Sequence, residues 1–562
     1  MKLSIQVKSK GPIILTDKDY IAAGGEAAVY KKGNTAYKIY HDPSKMISDG
    51  KIKELQVITS PTVLKPQDII LHNNKTIGYI MSFVTNTHPI CKLFTKTFRD
   101  KNNLVPKDIV DVVKKIQETI QKIHRDGCLI VDLNELNLLA SKDFKDVYFI
   151  DVDSYQTKSY PATAIMESIR DRQVKGNQFT TSSDWFSFAV IASQLYLGIH
   201  PYKGRHPNYK PGDWSQRMDD GISIFDSKVT LPRTCYDFSV IPKAHYDWFQ
   251  DIFVKNMRSI PPLPDESLIL IPISQFKVIE STGDFDVSEK WEYPDPVLMA
   301  YNYGGADFIV TTKKIYDDQK EYKKIPLEKG KVGFCNSGDE FFPATCYLRD
   351  DNLAFFAPDK TVPVLGGVKS QDFMMRNDHI YSLWDEKIIE YSIMKTSTKF
   401  ILSSKQVCNA SDTTTKFFDG VIFQDLLGKQ FITLPFEPGK CIFKLIKELD
   451  GYRVLEAKSE RNIVIALTEK GGSYHRFIFT FNDSYSDYKL RIEDDVSYCA
   501  VNFTVKPNGV CILATDTEVQ IFKDDKIKKI TNAPFDATNK LMNRRGDVFF
   551  IDGNKIFSIK AK

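Results

Sequence analysis

The sequence predicts a multidomain protein with an α+β half followed by an all-β half. Three observations carry this. Strand-like and helix-like patterns alternate up to about residue 260, and short strands dominate after about residue 290. Between them, Ser259–Ser267 holds Pro261, Pro262 and Pro264, and proline cannot continue a helix. At roughly 100–200 residues per domain, a chain of 562 residues accommodates such a division. The domains are therefore drawn at 1–264 and 287–562, with 265–286 as a linker.

In the first half, Tyr20–Lys31 and Thr35–Tyr40 read as strand, small-residue turn and strand. Lys51–Thr59 reads as a short helix and Thr76–Val84 as a β-rich run. Pro106–Arg125 carries Ile109, Val112, Val113, Ile116, Ile120 and Ile123 at helical spacing, with Pro106 and Asp108 as start signals. Val147–Ile150 reads as a strand. Trp185–Ile199 is the longest apolar stretch. It falls below the roughly 18 residues needed to span a bilayer and carries Ser187, Ser193 and Gln194, so it reads as a buried helix.

In the second half, β-rich runs recur in pairs around turns of Gly, Asn or Asp. Examples begin at Asp307, His379, Gly420, Asn462, Gly509 and Gly546. Hairpins at roughly 40–50-residue intervals suit a β-propeller with four strands per blade. A pair of β-sandwiches is the alternative, and no WD or kelch signature is present. The last strand, Lys555–Lys560, is expected to complete a blade begun near Pro296–Tyr303.

A net charge of +4 with no polybasic block gives no footprint for nucleic acid. Nine cysteines without a C-x-x-C pair, and nine histidines that make no ligand cluster with them, read as reduced thiols in a reducing compartment. Met1–Ile13 lacks the apolar run of a signal peptide. The expectation is a soluble, cytoplasmic protein with neither membrane nor nucleic acid as partner.

The chemistry centres on Asp132, five residues before Asn137. A phosphotransferase needs a carboxylate to orient the attacking hydroxyl and accept its proton. It also needs a side-chain oxygen nearby for a metal, and D-x-x-x-x-N in a tight loop supplies both. Val147–Asp153 then adds a strand ending in a carboxylate, Asp151, suited to a second metal-ligand position. The string His124-Arg125-Asp126 is set aside, because Val131, five residues after Asp126, cannot ligate metal.

Taken in order, these pieces resemble the eukaryotic-like protein kinase family over roughly residues 18–262. Ile21–Tyr30 (IAAGGEAAVY) is similar to the glycine-rich loop, and Ala36-Tyr37-Lys38-Ile39 to the lysine strand. His124 and Gly127 followed by Asp132 and Asn137 resemble the helix end and catalytic loop. Phe149–Asp153 stands where the family has Asp-Phe-Gly. Asp184–Ala189 resembles the D-x-W-S-x-G helix, Gln194–Gly204 the segment after it, and Arg258 a late arginine. The GGEA loop and the FIDVDS ending look most like bacterial and phage stress-associated kinases.

The resemblance implies a bilobal fold, ATP, and magnesium with manganese as an alternative. It implies Lys38 on the α/β phosphates, Asp132 as catalytic carboxylate, and Asn137 and Asp151 on the metal. Gly24 and Gly25 would let backbone amides approach phosphate, although Ala22 and Ala27 occupy the outer glycine positions. Ser82 to Val84 would be the adenine hinge. Glu54 would orient Lys38, with Glu26 as another acid nearby. Asp184 would tie the catalytic loop to its helix. Asp153 replaces the family's glycine, to help with metal or to face solvent. Asn134 replaces a common lysine, and Ile130-Val131 the His-Arg pair. The implied activity is Ser/Thr protein phosphorylation, with a protein substrate recognised in part by the C-terminal domain. Alternatives are a pseudokinase scaffold and a small-molecule phosphotransferase. The long polar stretch Asp153–Ser183, where a peptide-docking segment belongs, argues against the latter.

Overall fold

The computed structural model describes residues 2–561 apart from 163–164, 211, 233, 265–284, 325–330, 359–362, 398 and 532. The chain divides into two compact units, Met1–Val278 and Ile279–Lys562. The expected linker over 265–286 lies almost wholly outside the described residues.

The first unit opens with β1 (Lys2–Val7), β2 (Gly11–Thr16), β3 (Tyr20–Ala23), β4 (Ala27–Lys32) and β5 (Thr35–Tyr40). After α1 (Asp49–Leu55) come β6 (Asp68–His72) and β7 (Lys75–Ser82). These seven strands form one antiparallel sheet in the order β2-β1-β6-β7-β5-β4-β3. Sequence reasoning missed the β1–β2 hairpin, although Ile5 and Val7 alternate with polar residues and are buried beside Leu15.

A second, three-stranded sheet joins β8 (Thr87–Pro89), β9 (Leu138–Ser141) and β10 (Val147–Phe149). Helices α2 (Lys96–Lys101), α3 (Pro106–Arg125), α4 (Thr181–Leu197), α5 (Trp214–Asp219) and α6 (Lys243–Phe249) complete the unit. The six apolar positions read from the periodicity of α3 are all buried. Its start is fixed by Asp108, whose carboxylate accepts the Val105 N–H at 2.8 Å. Helix α4 is buried on nearly every side, as a helix in the middle of a core is. It ends at Gly198, with φ 76°, where a Cβ would lie 2.7 Å from the Phe94 carbonyl oxygen. The proline-rich segment folds back on the helices. Gln117 donates to the Pro261 and Pro262 carbonyls at 2.9 Å, and Trp248 donates to the Ser259 carbonyl at 3.1 Å.

The second unit is all β and consists, among the described residues, of seven four-stranded antiparallel sheets. Six are built from consecutive strands, over 297–324, 331–369, 373–409, 415–445, 453–493 and 502–530. Several turns carry residue pairs at positive φ, among them Asp350-Asp351, Asn377-Asp378 and Asp385-Glu386. Turns of that hand match the twist of the flanking strands. Each sheet shares a buried apolar cluster with the next. The sheet holding the last strand also shares one with the first, through Phe549, Ile551 and Ile556 against Val297, Ile309 and Tyr316.

That seventh sheet corrects one expectation. Lys555–Ala561 does not pair with the strand at Val297–Tyr303, which pairs instead with Ala306–Thr311. Its partners are Asp547–Asp552 and the strand β11 (Phe285–Glu292), with Phe285 opposite Ala561 and Glu292 opposite Lys555. The two ends of the unit still share a sheet. The segment that closes it begins at Phe285, inside the stretch read as linker.

All nine cysteines are free thiols, and most are buried. Among the described residues, no helix is long and apolar enough to cross a membrane.

Candidate functional site

Lys38 sits in the middle of β5, between Val29 of β4 and Tyr79 of β7. Residues directly opposite in an antiparallel pair share a face, as do residues two apart on one strand. Lys38, Tyr79 and Tyr40 therefore cluster. Gly78 makes the close approach possible, since a Cβ there would lie 2.0 Å from the Lys38 carbonyl oxygen.

The Lys38 ammonium is buried and donates to Asp151 Oδ1 at 2.6 Å and to Asp153 Oδ2 at 2.8 Å. The Tyr40 hydroxyl donates to the same Asp153 oxygen. Burial opposes the lysine's charge, but Tyr79, Asp153, Asp151 and Tyr40 outweigh it and hold the ammonium well above its ordinary range. The two carboxylates then split. Burial and the neighbouring Asp153 push Asp151 up. Burial also works against Asp153, but Lys38, Tyr40 and Tyr79 prevail and hold it below the usual carboxylate range. The two also differ in exposure, with 45% of the Asp151 side chain accessible against 7% for Asp153.

Asp132 follows Val131, which has φ 63°, a left-handed conformation costly for a β-branched residue. Buried Asp184 of α4 holds this loop. Its Oδ2 accepts the Ile130 N–H at 2.8 Å and its Oδ1 the Val131 N–H at 2.9 Å. His124 Nε2 lies 2.9 Å from Oδ2. Asn137 donates to the Asp132 carbonyl at 3.0 Å and to Oδ2 of the same residue at 3.3 Å. Asn134 donates to that Oδ2 at 3.0 Å, and the Met166 N–H donates to Oδ1 at 2.8 Å. Burial raises Asp132 above the ordinary carboxylate range in spite of these donors. Asp151, with φ 59°, is likewise left-handed, and the Asn137 carbonyl accepts the Ile150 N–H at 2.9 Å. The loop of Asp132–Asn137 and the segment of Asp151–Asp153 are thus joined through backbone.

Further from the ammonium, Gly24 and Gly25 form the turn between β3 and β4. A Cβ at either would meet nothing within 4 Å. Ser82 ends β7, and its hydroxyl accepts from Gln67 at 2.9 Å. The Phe83 N–H goes to the Asn34 carbonyl at 2.9 Å, and Val84 follows outside the strand.

Glu54 departs from expectation. It does not pair with Lys38; its Oε2 accepts the Ser159 N–H at 3.0 Å. The side chain that α1 sends into the site is Lys51, which donates to the Asp153 carbonyl at 2.6 Å. Helix α1 therefore holds Asp153 by its backbone, and Asp153 holds Lys38. Sequence reasoning noted Asp153 without giving it this partner and assigned no part in the site to Tyr40, Tyr79 or Lys51. Arg258 forms a two-pronged ion pair with Asp171, at 2.6 and 2.7 Å, against the face of Phe186.

A divalent cation fits the donors present, since Asn137 and Asp151 offer hard oxygen ligands and the Asp151 side chain is partly accessible. Among the described residues, no group of three or more His, Cys, Asp and Glu forms a self-sufficient metal site. Magnesium is commonly held by one or two carboxylates and completed by substrate phosphates, which is the chemistry this pair can offer.

No family model matches this chain, and no curated protein matches it.

Proposed function

We propose that the first unit is a bilobal, protein-kinase-like phosphotransferase that uses ATP and magnesium, or manganese, to phosphorylate Ser or Thr of a protein substrate. We propose further that the second unit is a seven-bladed β-propeller that takes part in choosing that substrate. The observation that carries the catalytic reading is the joining of the Asp132–Asn137 loop to the Lys38–Asp151 pair, with Asp184 anchoring the loop from inside the core.

Bound nucleotide would supply the γ-phosphoryl group, and the metal would neutralise its charge. Lys38 would hold the α/β phosphate oxygens. Asn137 Oδ1 and the accessible Asp151 carboxylate would hold the metal. Asp132 would orient the substrate hydroxyl and take its proton, and its raised pKa suits a proton acceptor. Each carboxylate oxygen has more than one acceptor site, so the Met166 and Asn134 contacts leave room for a hydroxyl. Gly24 and Gly25 answer no packing need of the chain itself, which favours close approach of a ligand as their reason. Ser82 and Val84 bound the segment expected to meet adenine. The propeller reading is supported by the cyclic run of apolar clusters and by the shared sheet of the second unit's first and last strands. Free thiols favour a cytoplasmic setting.

The test is transfer of labelled phosphate from ATP with magnesium to a generic protein substrate. Asp132→Ala should abolish transfer while MgATP affinity stays within about threefold, because the carboxylate acts on the hydroxyl and not on ATP. Transfer by this variant at the wild-type rate would refute the assignment.

A further inference from the structure

We infer that Asp153 is the fixed positioning residue for Lys38, the part that a helix glutamate has in the family this chain resembles; the inference rests on the phosphotransfer reading above. Two carboxylates contact the ammonium, and they are not equivalent. Asp153 is almost fully buried and reaches Lys38 with both oxygens, at 2.8 and 3.1 Å. The Tyr40 hydroxyl steers it, and Lys51 pins its backbone carbonyl. Asp151 reaches Lys38 with one oxygen and leaves nearly half its side chain accessible. A ligand to an incoming metal must be accessible and able to exchange partners. An anchor must be buried and held from several sides. Asp151 would therefore be free to leave Lys38 for a bound metal, while Asp153 would keep the ammonium aimed at the phosphates.

The family arrangement depends on a helix carrying its glutamate into place. Here the helix carboxylate, Glu54, is occupied by Ser159 N–H, and the anchor lies two residues from the metal-binding aspartate in the same short segment. Lysine positioning and metal binding are thus built into one piece of chain. The lysine can be aligned without helix α1 contributing an acidic side chain.

The experiment is calorimetric titration of the full chain with MgATP and, separately, with adenosine. The proteins are wild type, Asp153→Asn, Lys38→Ala and the double variant. Lys38 acts on phosphate, so Asp153→Asn should weaken MgATP binding by about tenfold, as expected for loss of a charge-assisted bond. Adenosine affinity should stay within twofold, a separation that general unfolding of the site would not give. In the Lys38→Ala background, Asp153→Asn should add less than twofold, because its effect passes through the lysine. Tyr40→Phe removes only the steering hydroxyl and keeps the test alive if Asp153→Asn fails to fold. It should weaken MgATP binding by about threefold, and only where Lys38 is present. Additive losses, unchanged MgATP affinity, or tighter MgATP binding by Asp153→Asn would each overturn the anchor role. The last would mean that the carboxylate only repels phosphate. If wild type binds neither ligand, the phosphotransfer reading falls, and the anchor role falls with it.

Discussion

Replacing Asp184 with Asn tests how the catalytic loop is held. The wild-type carboxylate accepts from Ile130 N–H, Val131 N–H and His124 in a fully buried position. Asparagine keeps the shape but offers one oxygen and one NH2. The oxygen can serve one backbone amide, and the NH2 then faces the other, donor against donor. A buried donor left without a partner costs about 1–3 kcal/mol, and loss of charge assistance adds about 1 kcal/mol. The strain at Val131, with φ 63°, also loses one of the contacts that maintain it. The expected destabilisation of the first unit is about 2–4 kcal/mol. Urea unfolding of the full chain reads it through Trp185, which adjoins Asp184 and packs edge-on to His124 at 5.1 Å. The transition of the second unit should not move. Phosphate transfer should fall at least tenfold, since Asp132 directly follows Val131. A loss below 1 kcal/mol with full transfer would show that the loop does not depend on these bonds.

Three further outcomes are expected. Phosphatase-treated protein should keep its initial transfer rate. Val131 offers no charge to a phosphate, and the segment is already held by Met166 on Asp132 and by Asp171 on Arg258; a large loss restored by preincubation with ATP refutes this. It would implicate Ser154, Tyr155, Thr157, Ser159, Tyr160 or Thr163, of which Tyr155 and Thr157 are buried and Thr163 lies outside the described residues. Deleting residues 553–562 should destabilise the whole second unit by at least about 4 kcal/mol, because buried Ile556 and Ile559 go with it and β11 loses its partner; an unchanged melting curve argues against closure by this strand. His200 is buried and held neutral, accepting the Tyr202 N–H at Nδ1 with Nε2 2.8 Å from the Ser168 carbonyl, and burial lowers its pKa to about 3. Its stabilisation is complete above the unfolded value near 6.5 and is lost as pH falls toward 3, about 2 kcal/mol by pH 5. Urea midpoints measured against pH should therefore show a slope that His200→Gln reduces.

Local pattern made much of this molecule legible. The spacing of Ile109 through Ile123 defines α3 because one helix face must be buried, whatever it packs against. The Asp132–Asn137 spacing is likewise confined to one loop. The partner of Lys38 was not legible in the same way. Asp153 lies far from it in sequence, and which carboxylate meets the ammonium depends on how the chain turns at Asp151. Glu54 is the nearer candidate in sequence, because it sits on the helix that follows the lysine strand. Its real partner, Ser159 N–H, is a backbone group and leaves no mark on composition.

The strand that closes the second unit leaves little mark in the sequence, for a physical reason that its burial makes plain. Of the eight residues Phe285–Glu292, Phe285 is buried, Trp291 is half-buried and the rest are exposed. An outermost strand has one open backbone edge and buries less of its side chains than the strands inside the sheet. Charge on such a strand discourages pairing with another chain, and Asp286, Glu289, Lys290 and Glu292 supply it. The same charges erase the apolar alternation that marks a strand in sequence, so the boundary of the all-β half is drawn at 287, two residues inside the strand. Its partner carries the apolar signal, since Ile556 and Ile559 are buried in the clusters shared with the first and sixth sheets, while Lys555 reaches back to Glu289 at 2.9 Å. A closing strand can thus be recognised from the apolar strand left needing a neighbour, more readily than from its own residues.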